Sequence, residues 1–527
     1  MSRSILPRHR LGALALLLAL AWPQPGLLQA QGSGRPLPTL GDSASEDLSV
    51  AAERRLGDRI MQELRRDPDV IDDALLLDYV QSLWTPLLDA ARQRGELTEE
   101  LDAHDAWEPF LVRDRSINAF ALPGGYIGVH LGLISLTASR DELAAVMAHE
   151  LSHVTQRHIA RMMASSRRQS MLGVAAMILG VMAASRSPDA ASAMIVSGQA
   201  GMAQGQLNFS RDMEREADRV GFGVLEGAGF APAGMTQMFD KLQFAARLND
   251  SQQYPYLRSH PLTSERIGEA RQRLGLAQLY SAPANADALR WLHAVMQGRA
   301  RALMDARHDS LRRLADLLGS PTQGPEALAQ AYAGTLAALR LQDAAAVQLG
   351  LQRSLALGAG QPLLQPALRQ LQIEVAIEQG RPAQALQLWQ GGTASGTRAE
   401  LLLGAQVVLA QPADAAAAQW QPQSERLRTW LALHPGDASV WGLLATLQER
   451  LGQGGAALRA QAEQRLALGD LSGAIDRLRA GQRQMRTSGA ADSVEATVID
   501  ARLHALEQRR RKELLEDRPG SREGGEP

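Results

Sequence analysis

Apolar residues recur at helical spacing along almost the whole chain, and one stretch alone breaks into the signals of β-structure. The runs Leu48–Leu64 and Val70–Arg94 place apolar residues at intervals of three and four, and Leu75, Leu76, Tyr79, Val80, Leu83 and Trp84 form one stripe. That spacing predicts two core-facing helices. Trp107–Val112 then reads as a strand, and Ile117–His130 as a second extended run cut by the turn signal Pro123-Gly124-Gly125. Asn118–Leu122 or Tyr126–Val129 can serve as a sheet edge that pairs with an extended polypeptide, or the two can form an ordinary core hairpin. Ser139 is placed to cap the next helix, because Glu142 completes a capping box and Asp141 adds a charge that favours the dipole.

That helix runs into a polar, basic stretch, Arg157–Ser170. Two Met/Ala/Gly-rich segments follow, Met171–Ala184 and Ala190–Met202. Each is too short to span a bilayer and lacks a charged face. They read as a buried helical hairpin or as an adaptable lid or surface that touches membrane or partner. From Asp287 to about Leu506 the pattern is nearly all helix, punctuated by Gly and Pro. Pro435, Trp441, Leu444, Ala445, Gly452 and Ala457 fit the register of a tetratricopeptide unit, and Gly469 with Ala474 and Gly380 with Ala385 repeat its glycine-to-alanine offset. Such arrays offer a concave groove for polypeptides and carry no chemistry of their own.

The candidate chemistry sits in Val146–Arg157, which contains the pattern H-E-x-x-H. On a helix, His149 and His153 share a face one turn apart, so both imidazoles can converge on one metal ion with Glu150 beside it. Zinc held by neutral nitrogens lowers the pKa of a bound water, and an adjacent carboxylate can take the proton during attack on a peptide carbonyl. With 11 histidines in the chain, an accidental match is expected on the order of 0.01 times. The flanking Leu143, Ala144, Val146, Met147, Leu151 and Val154 are apolar enough to bury the helix, and buried histidines need partners. Beyond the two apolar segments, Asn208–Val220 supplies Glu214 and Asp218 on one helical face. One of them can ligate the metal while the other orients a ligand histidine. Glu216 points away from Asp218 and is the weaker candidate, and His158 falls opposite His149 on an extended helical wheel and is expected in solvent rather than as a ligand.

H-E-L-S-H followed by E-R-E-A-D resembles the M48 family of zinc metallopeptidases, as do the stretches beginning at Asn118 and Ser259; the likeness covers about residues 48–275. The resemblance implies that His149, His153 and Glu214 hold one Zn2+ per chain, that Glu150 is the base and that Asp218 supports a ligand from behind. It implies an α+β zincin-like fold for that part, followed by an all-α helical-repeat, TPR-like domain. It also associates His260 with a switching role, in which the imidazole takes the metal's fourth position and holds the enzyme off. The residues alone equally allow His260 to stabilise an oxyanion, or to be a turn residue before Pro261 ahead of a helix starting near Thr263.

Composition narrows the setting. Arg3, Arg8 and Arg10, the apolar run Leu11–Trp22 and Ala30 before Gln31 have the three parts of a secretory signal. With 0 cysteines there is no disulfide framework or thiolate chemistry, so any zinc is held by His and carboxylates. A net charge of -2 gives no strongly basic balance, and no groove-binding or single-strand-binding signature appears, which argues against nucleic acid. The expected order is a signal peptide (1–30), a linker (31–47), a metallopeptidase domain (48–280), the repeat domain (285–506) and a disordered tail (507–527). Export by a signal of bacterial look places the mature protein in the periplasm, and by resemblance the substrates are misfolded or stalled outer-membrane β-barrel proteins. The repeats would dock the assembly machinery; peripheral membrane contact through 171–202 is the alternative to a buried hairpin there. The different class that stays open is a chaperone or assembly scaffold whose proteolysis is normally held off. A zinc hydrolase for a non-protein substrate suits the edge strand and repeat groove less well.

Overall fold

The computed structural model describes residues 48–165, 211–247, 254–277, 280, 282–392, 396–489 and 493–516. The expected signal and linker, both apolar segments between Met171 and Met202, and residues 517–527 lie outside the described residues. No helix among the described residues is long and apolar enough to cross a membrane.

The amino-terminal half wraps helices around a small sheet. Helix α1 (Val50–Leu64) leads to strand β1 (Val70–Ile71), then α2 (Ala74–Gln93) and α3 (Glu99–His104). Strands β2 (Glu108–Val112), β3 (Ala119–Leu122) and β4 (Tyr126–His130) follow. Sheet order is β1-β2-β4-β3, with β2 and β4 parallel and the other two pairs antiparallel. The sequence reading merged Val70 and Ile71 with the next helix. They instead pair with Val112 and Leu111, and Asp73 caps α2 by accepting from Leu76 N–H. Two residues are too few to display a strand's period.

Alternation sets the two faces of the sheet. Phe110, Val112, Leu122 and Tyr126 pack with Leu56, Ile60 and Met61 of α1, while Leu111, Ala119, Ile127 and Val129 join the main core on the other side. The expected hairpin is present between β3 and β4, turned through Gly124 and Gly125, both at φ +79. A Cβ is strained there, which is why the turn uses glycine. Since β4 is flanked on both sides, β3 is the edge strand of this hairpin.

Beneath β3 lies the motif helix. Helix α4 (Leu131–Leu136) precedes α5 (Arg140–Thr155), and α6 (His158–Ser165) follows it. Ser139 caps α5 as expected, accepting from Glu142 N–H, but Glu142 reaches one residue further back, to Ala138 N–H, and pairs with Lys241 at 2.6 Å. Every residue of α5 from Glu142 to Thr155 is buried, as for a helix enclosed on all sides. Around it pack α2, α7 (Arg211–Gly227) and α8 (Ala233–Arg247), with α9 (Tyr256–Ser259) and α10 (Ser264–Leu276) beyond. The helix expected to start near Thr263 is α10, and Thr263 caps it.

From Ala286 onward the described chain is entirely helical or connecting. The helices are α11 (Ala286–Leu303), α12 (His308–Asp316), α13 (Gly324–Arg340), α14 (Ala344–Leu357), α15 (Gln365–Glu378) and α16 (Pro382–Gln390). They continue as α17 (Arg398–Ala410), α18 (Ala413–Leu433), α19 (Ala438–Arg450), α20 (Gly454–Ala467), α21 (Leu471–Thr487) and α22 (Val494–Glu516). Most consecutive helices pack on one another. Gly380, Gly452 and Gly469 end helices at positive φ, and Ala385, Ala457 and Ala474 are all buried in the helices that follow. The last helix runs to Glu516, past the expected boundary at Leu506 and into the stretch expected to be disordered from Glu507. Its Glu507 is held by Arg479 at 2.8 Å, a partner outside the charged tail that local composition could not reveal.

Candidate metal centre

His149 and His153 stand one turn apart on α5 with their Nε2 atoms 3.1 Å from each other. Helix α7 crosses α5 closely at Gly221, where a Cβ would lie 3.1 Å from the Ala148 carbonyl oxygen and 3.2 Å from His149 Cα. This close crossing brings α7's carboxylates onto the histidines. Glu214 Oε2 lies 3.5 Å from His149 Nε2, and its Oε1 lies 3.5 Å from His153 Nε2. His260, immediately after α9, sets its Nδ1 3.0 Å from Glu214 Oε1 and 3.4 Å from His149 Nε2. One atom from each of these four buried side chains falls within 4.8 Å of all the others.

A tetrahedral zinc with ligands at about 2.0–2.1 Å separates its ligand atoms by about 3.3 Å. The nearest separations here bracket that value. The donor set, imidazoles and one carboxylate without a thiol, also suits zinc. A further observation agrees with a cation: both oxygens of Glu150 are buried away from water, with Tyr256 and the His260 imidazole beside them. The nearest basic atom to Glu150 is His260 Nε2, at 3.5 Å from Oε1. A buried carboxylate left in this way is costly unless a positive charge stands nearby.

Asp218, one turn beyond Glu214, places Oδ1 3.0 Å from His149 Nδ1. Behind it lies Arg266 of α10, whose Nε and Nη2 donate to the two Asp218 oxygens at 2.6 and 2.8 Å. Its Nη1 donates to the Pro261 carbonyl at 2.9 Å and lies 2.7 Å from Glu214 Oε2. One guanidinium thus braces both carboxylates and the loop that carries His260. Sequence reading assigned Arg266 no role, because an arginine three residues past a helix cap looks like a surface charge. Tyr256 was missed for a similar reason. It is buried and stacks on His260 at 4.6 Å between ring centroids.

Burial and charge pull the titrating groups apart. Burial pushes His149 down, but Asp218 and Glu214 outweigh it and hold the imidazole up at about 9. Burial and the neighbouring His149 push His153 well down. Burial would raise Glu214, yet the imidazoles of His260 and His149 keep it well below the usual carboxylate range. Burial likewise opposes ionisation of Asp218, and Arg266 overrides it. Glu150 is raised by burial, which makes its carboxylate a stronger base than an exposed one.

His158 is not in solvent, as the helical wheel had it, but fully buried. Helix α5 stops at Thr155, and Arg157 at φ 52 turns the chain, so α6 restarts at His158 beneath the site. Its Nδ1 lies 2.8 Å from His153 Nδ1 and its Nε2 3.0 Å from Glu216 Oε2. Extending one helical wheel across an unmarked break caused the error. Glu216, the weaker candidate on the helical wheel, is not among the four clustered residues.

Comparisons with known proteins point to one peptidase family. The profile of peptidase family M48 matches residues 89–274. The beta-barrel assembly-enhancing protease of Escherichia coli is 36% identical over 241 residues, 46% of this chain and 47% of that protein. In that alignment the chain spans about half the length of the relative. A protein of the same name from Yersinia pestis is 30% identical over 498 residues, covering 91% of this chain and 93% of that protein. The mitochondrial metalloendopeptidase OMA1 of Schizosaccharomyces pombe is 31% identical over 179 residues, 33% of this chain and 48% of that protein.

Proposed function

We propose, from the premise that this chain belongs to peptidase family M48, that it is a zinc endopeptidase with His149, His153 and Glu214 as ligands. The observation that carries this reading is the buried convergence of those three side chains next to a fully buried Glu150. When bound, the metal supplies a Lewis acid that polarises a peptide carbonyl and lowers the pKa of a water. Glu150 accepts the proton of the attacking water and later delivers it to the leaving amine. Asp218 faces the back of His149 and leaves Nε2 directed at the cluster. Arg266 offsets the charge of the two α7 carboxylates. Strand β3, at the sheet edge and packed on α5, is where an extended substrate adds as a further strand.

His260 serves as a fourth ligand that restrains the enzyme. Its short distances to Glu214 and His149 support this role over that of an oxyanion donor. In the wider reading the protein works in the periplasm after removal of a signal peptide, and residues 285–506 are a TPR-like domain that docks the assembly machinery. Its substrates are misfolded or stalled outer-membrane β-barrel proteins, which it degrades or helps to assemble. The names of the bacterial relatives support that setting. The seating of His260 among the ligands favours a second reading, a scaffold whose proteolysis is usually off.

Zinc content and casein cleavage of the wild type, Glu150→Gln and His260→Ala test the proposal. One zinc per chain is expected in all three. Loss of at least about a thousandfold in rate is expected for Glu150→Gln, and a gain for His260→Ala. A wild type without zinc, or a Glu150→Gln variant that cleaves normally, would overturn it. If Glu150→Gln still supports β-barrel assembly in cells, the scaffold reading prevails.

A further inference from the structure

Both histidines of the motif present Nε2 to the cluster, but their Nδ1 atoms have different neighbours. His149 Nδ1 faces a carboxylate, Asp218 Oδ1, at 3.0 Å. His153 Nδ1 faces another imidazole, His158 Nδ1, at 2.8 Å. Behind that imidazole stands Glu216, whose Oε2 is 3.0 Å from His158 Nε2 and 2.7 Å from Arg161 Nη1. We infer that His158 and Glu216 are positioning residues for His153, forming a hydrogen-bonded chain that fixes its tautomer and presents Nε2 to the metal. This rests on the reading of His153 as a ligand.

The direction of each bond follows from the last member. An ionised Glu216 can only accept, so His158 Nε2 carries a hydrogen and donates. In a neutral His158 the other nitrogen, Nδ1, is then an acceptor, and it takes a hydrogen from His153 Nδ1. That leaves the lone pair of His153 on Nε2, the atom 3.1 Å from His149 Nε2 and 3.5 Å from Glu214 Oε1. The opposite polarity would have His158 donate from both nitrogens. His153 Nδ1 would then have to accept, and the proton of a neutral His153 would occupy Nε2, where a metal must bind. The observed partners therefore select the ligating tautomer.

One helix supports both ligands. Glu216 and Asp218 lie two residues apart on α7 and so on nearly opposite faces, with Glu214 reaching the cluster. Asp218 meets its histidine directly, and the interposed ring of His158 spans the gap for Glu216. The break after Thr155 makes this possible, because a continued α5 would have carried His158 elsewhere. Arg157 pins the break, donating to the Leu48 carbonyl at 2.5 Å and to Glu53 at 3.2 Å.

The test is zinc affinity of the full chain, measured by competition with a chromophoric chelator, beside melting of the zinc-free protein. His158→Phe keeps the ring volume but removes the acceptor, and Glu216→Ala removes the end of the chain. Each is expected to weaken zinc binding 10–100-fold. His158→Asn keeps an acceptor near the Nδ1 position and should recover affinity to within about threefold of wild type. Zinc-free melting should track neither change. Wild-type affinity in His158→Phe and Glu216→Ala, or losses that simply parallel zinc-free stability, would overturn the inference. If His158→Phe does not fold, the half-buried Glu216→Ala decides. His153→Ala separates the two levels: if it binds zinc as tightly as wild type, or wild type binds none, the metal reading itself is what fails.

Discussion

The two halves of the chain bury charge for different ends. In the amino-terminal half, His149, Glu150, His153, Glu214, Asp218, His260 and Arg266 are all buried and converge on one place. In the helical tail the described core is largely Ala, Leu and Val, and its deeply buried guanidinium, Arg299 of α11, bridges the tail to the amino-terminal half. It donates to Asp73 at 2.7 Å and to both oxygens of Glu374 at 3.0 and 2.9 Å. Asp73 is the cap of α2, a helix that packs on both α5 and α7. Arg398 of α17 repeats the device one residue earlier, holding Asp72 and Asp437. Buried charge in one half assembles the candidate metal centre, and in the other it fastens the tail to the helix behind that centre.

The comparison breaks most sharply at its two central arginines. Arg299→Met leaves Asp73 and Glu374 without their cation, and Arg266→Leu does the same to Asp218 and Glu214. Removing one side of a buried ion pair costs about 3–5 kcal/mol, so urea unfolding should report losses of that size in both variants. Zinc then tells them apart. Arg299→Met should retain one zinc per chain with wild-type affinity, whereas Arg266→Leu should lose affinity as well as stability. Equal zinc affinity in the two variants would erase the distinction drawn between the halves. Arg398→Ala removes a pair that is 18% exposed on the arginine side and should cost less, about 1–2 kcal/mol.

What could be read from the sequence follows how local each feature is. H-E-x-x-H and the Glu214/Asp218 pair lie within single helices, so spacing alone places each set on one face. The hairpin turn was legible because Gly124 and Gly125 must adopt a conformation that other residues resist. His158 was misplaced because nothing like Gly or Pro marks the break at Gln156 and Arg157. Strand β1 was lost because it is two residues long. Arg266 and Arg299 could not be assigned, since their partners lie far away in sequence and a lone arginine on a polar helix face reads as solvated. In the tail, helices were plain and their last boundary was not, because Glu507 is held by a helix that precedes it.

The smallest expected effect concerns a buried charge that belongs to neither role. Asp105, between α3 and β2, has a buried Oδ1 with no hydrogen-bond partner among the described residues. Burial first, and then the charge of Glu53, push its carboxyl up to about 7, against the pull of Arg54 and Arg157. Because the folded pKa lies above the unfolded one, the folded state binds the proton more tightly. Its contribution to stability is present in full near pH 4 and is lost as pH rises through 7. Asp105→Asn mimics the protonated acid and cannot ionise. It should therefore match wild type near pH 4 and exceed it at pH 8 by about 1–2 kcal/mol, below the ceiling set by the shift because the site is only partly shielded from water. Chemical denaturation at the two pH values checks this, and a difference between the proteins that does not grow with pH would mean that Asp105 ionises without cost. A gap that does grow would make Asp105 a buried charge in the site-bearing half that neither builds the site nor fastens the tail.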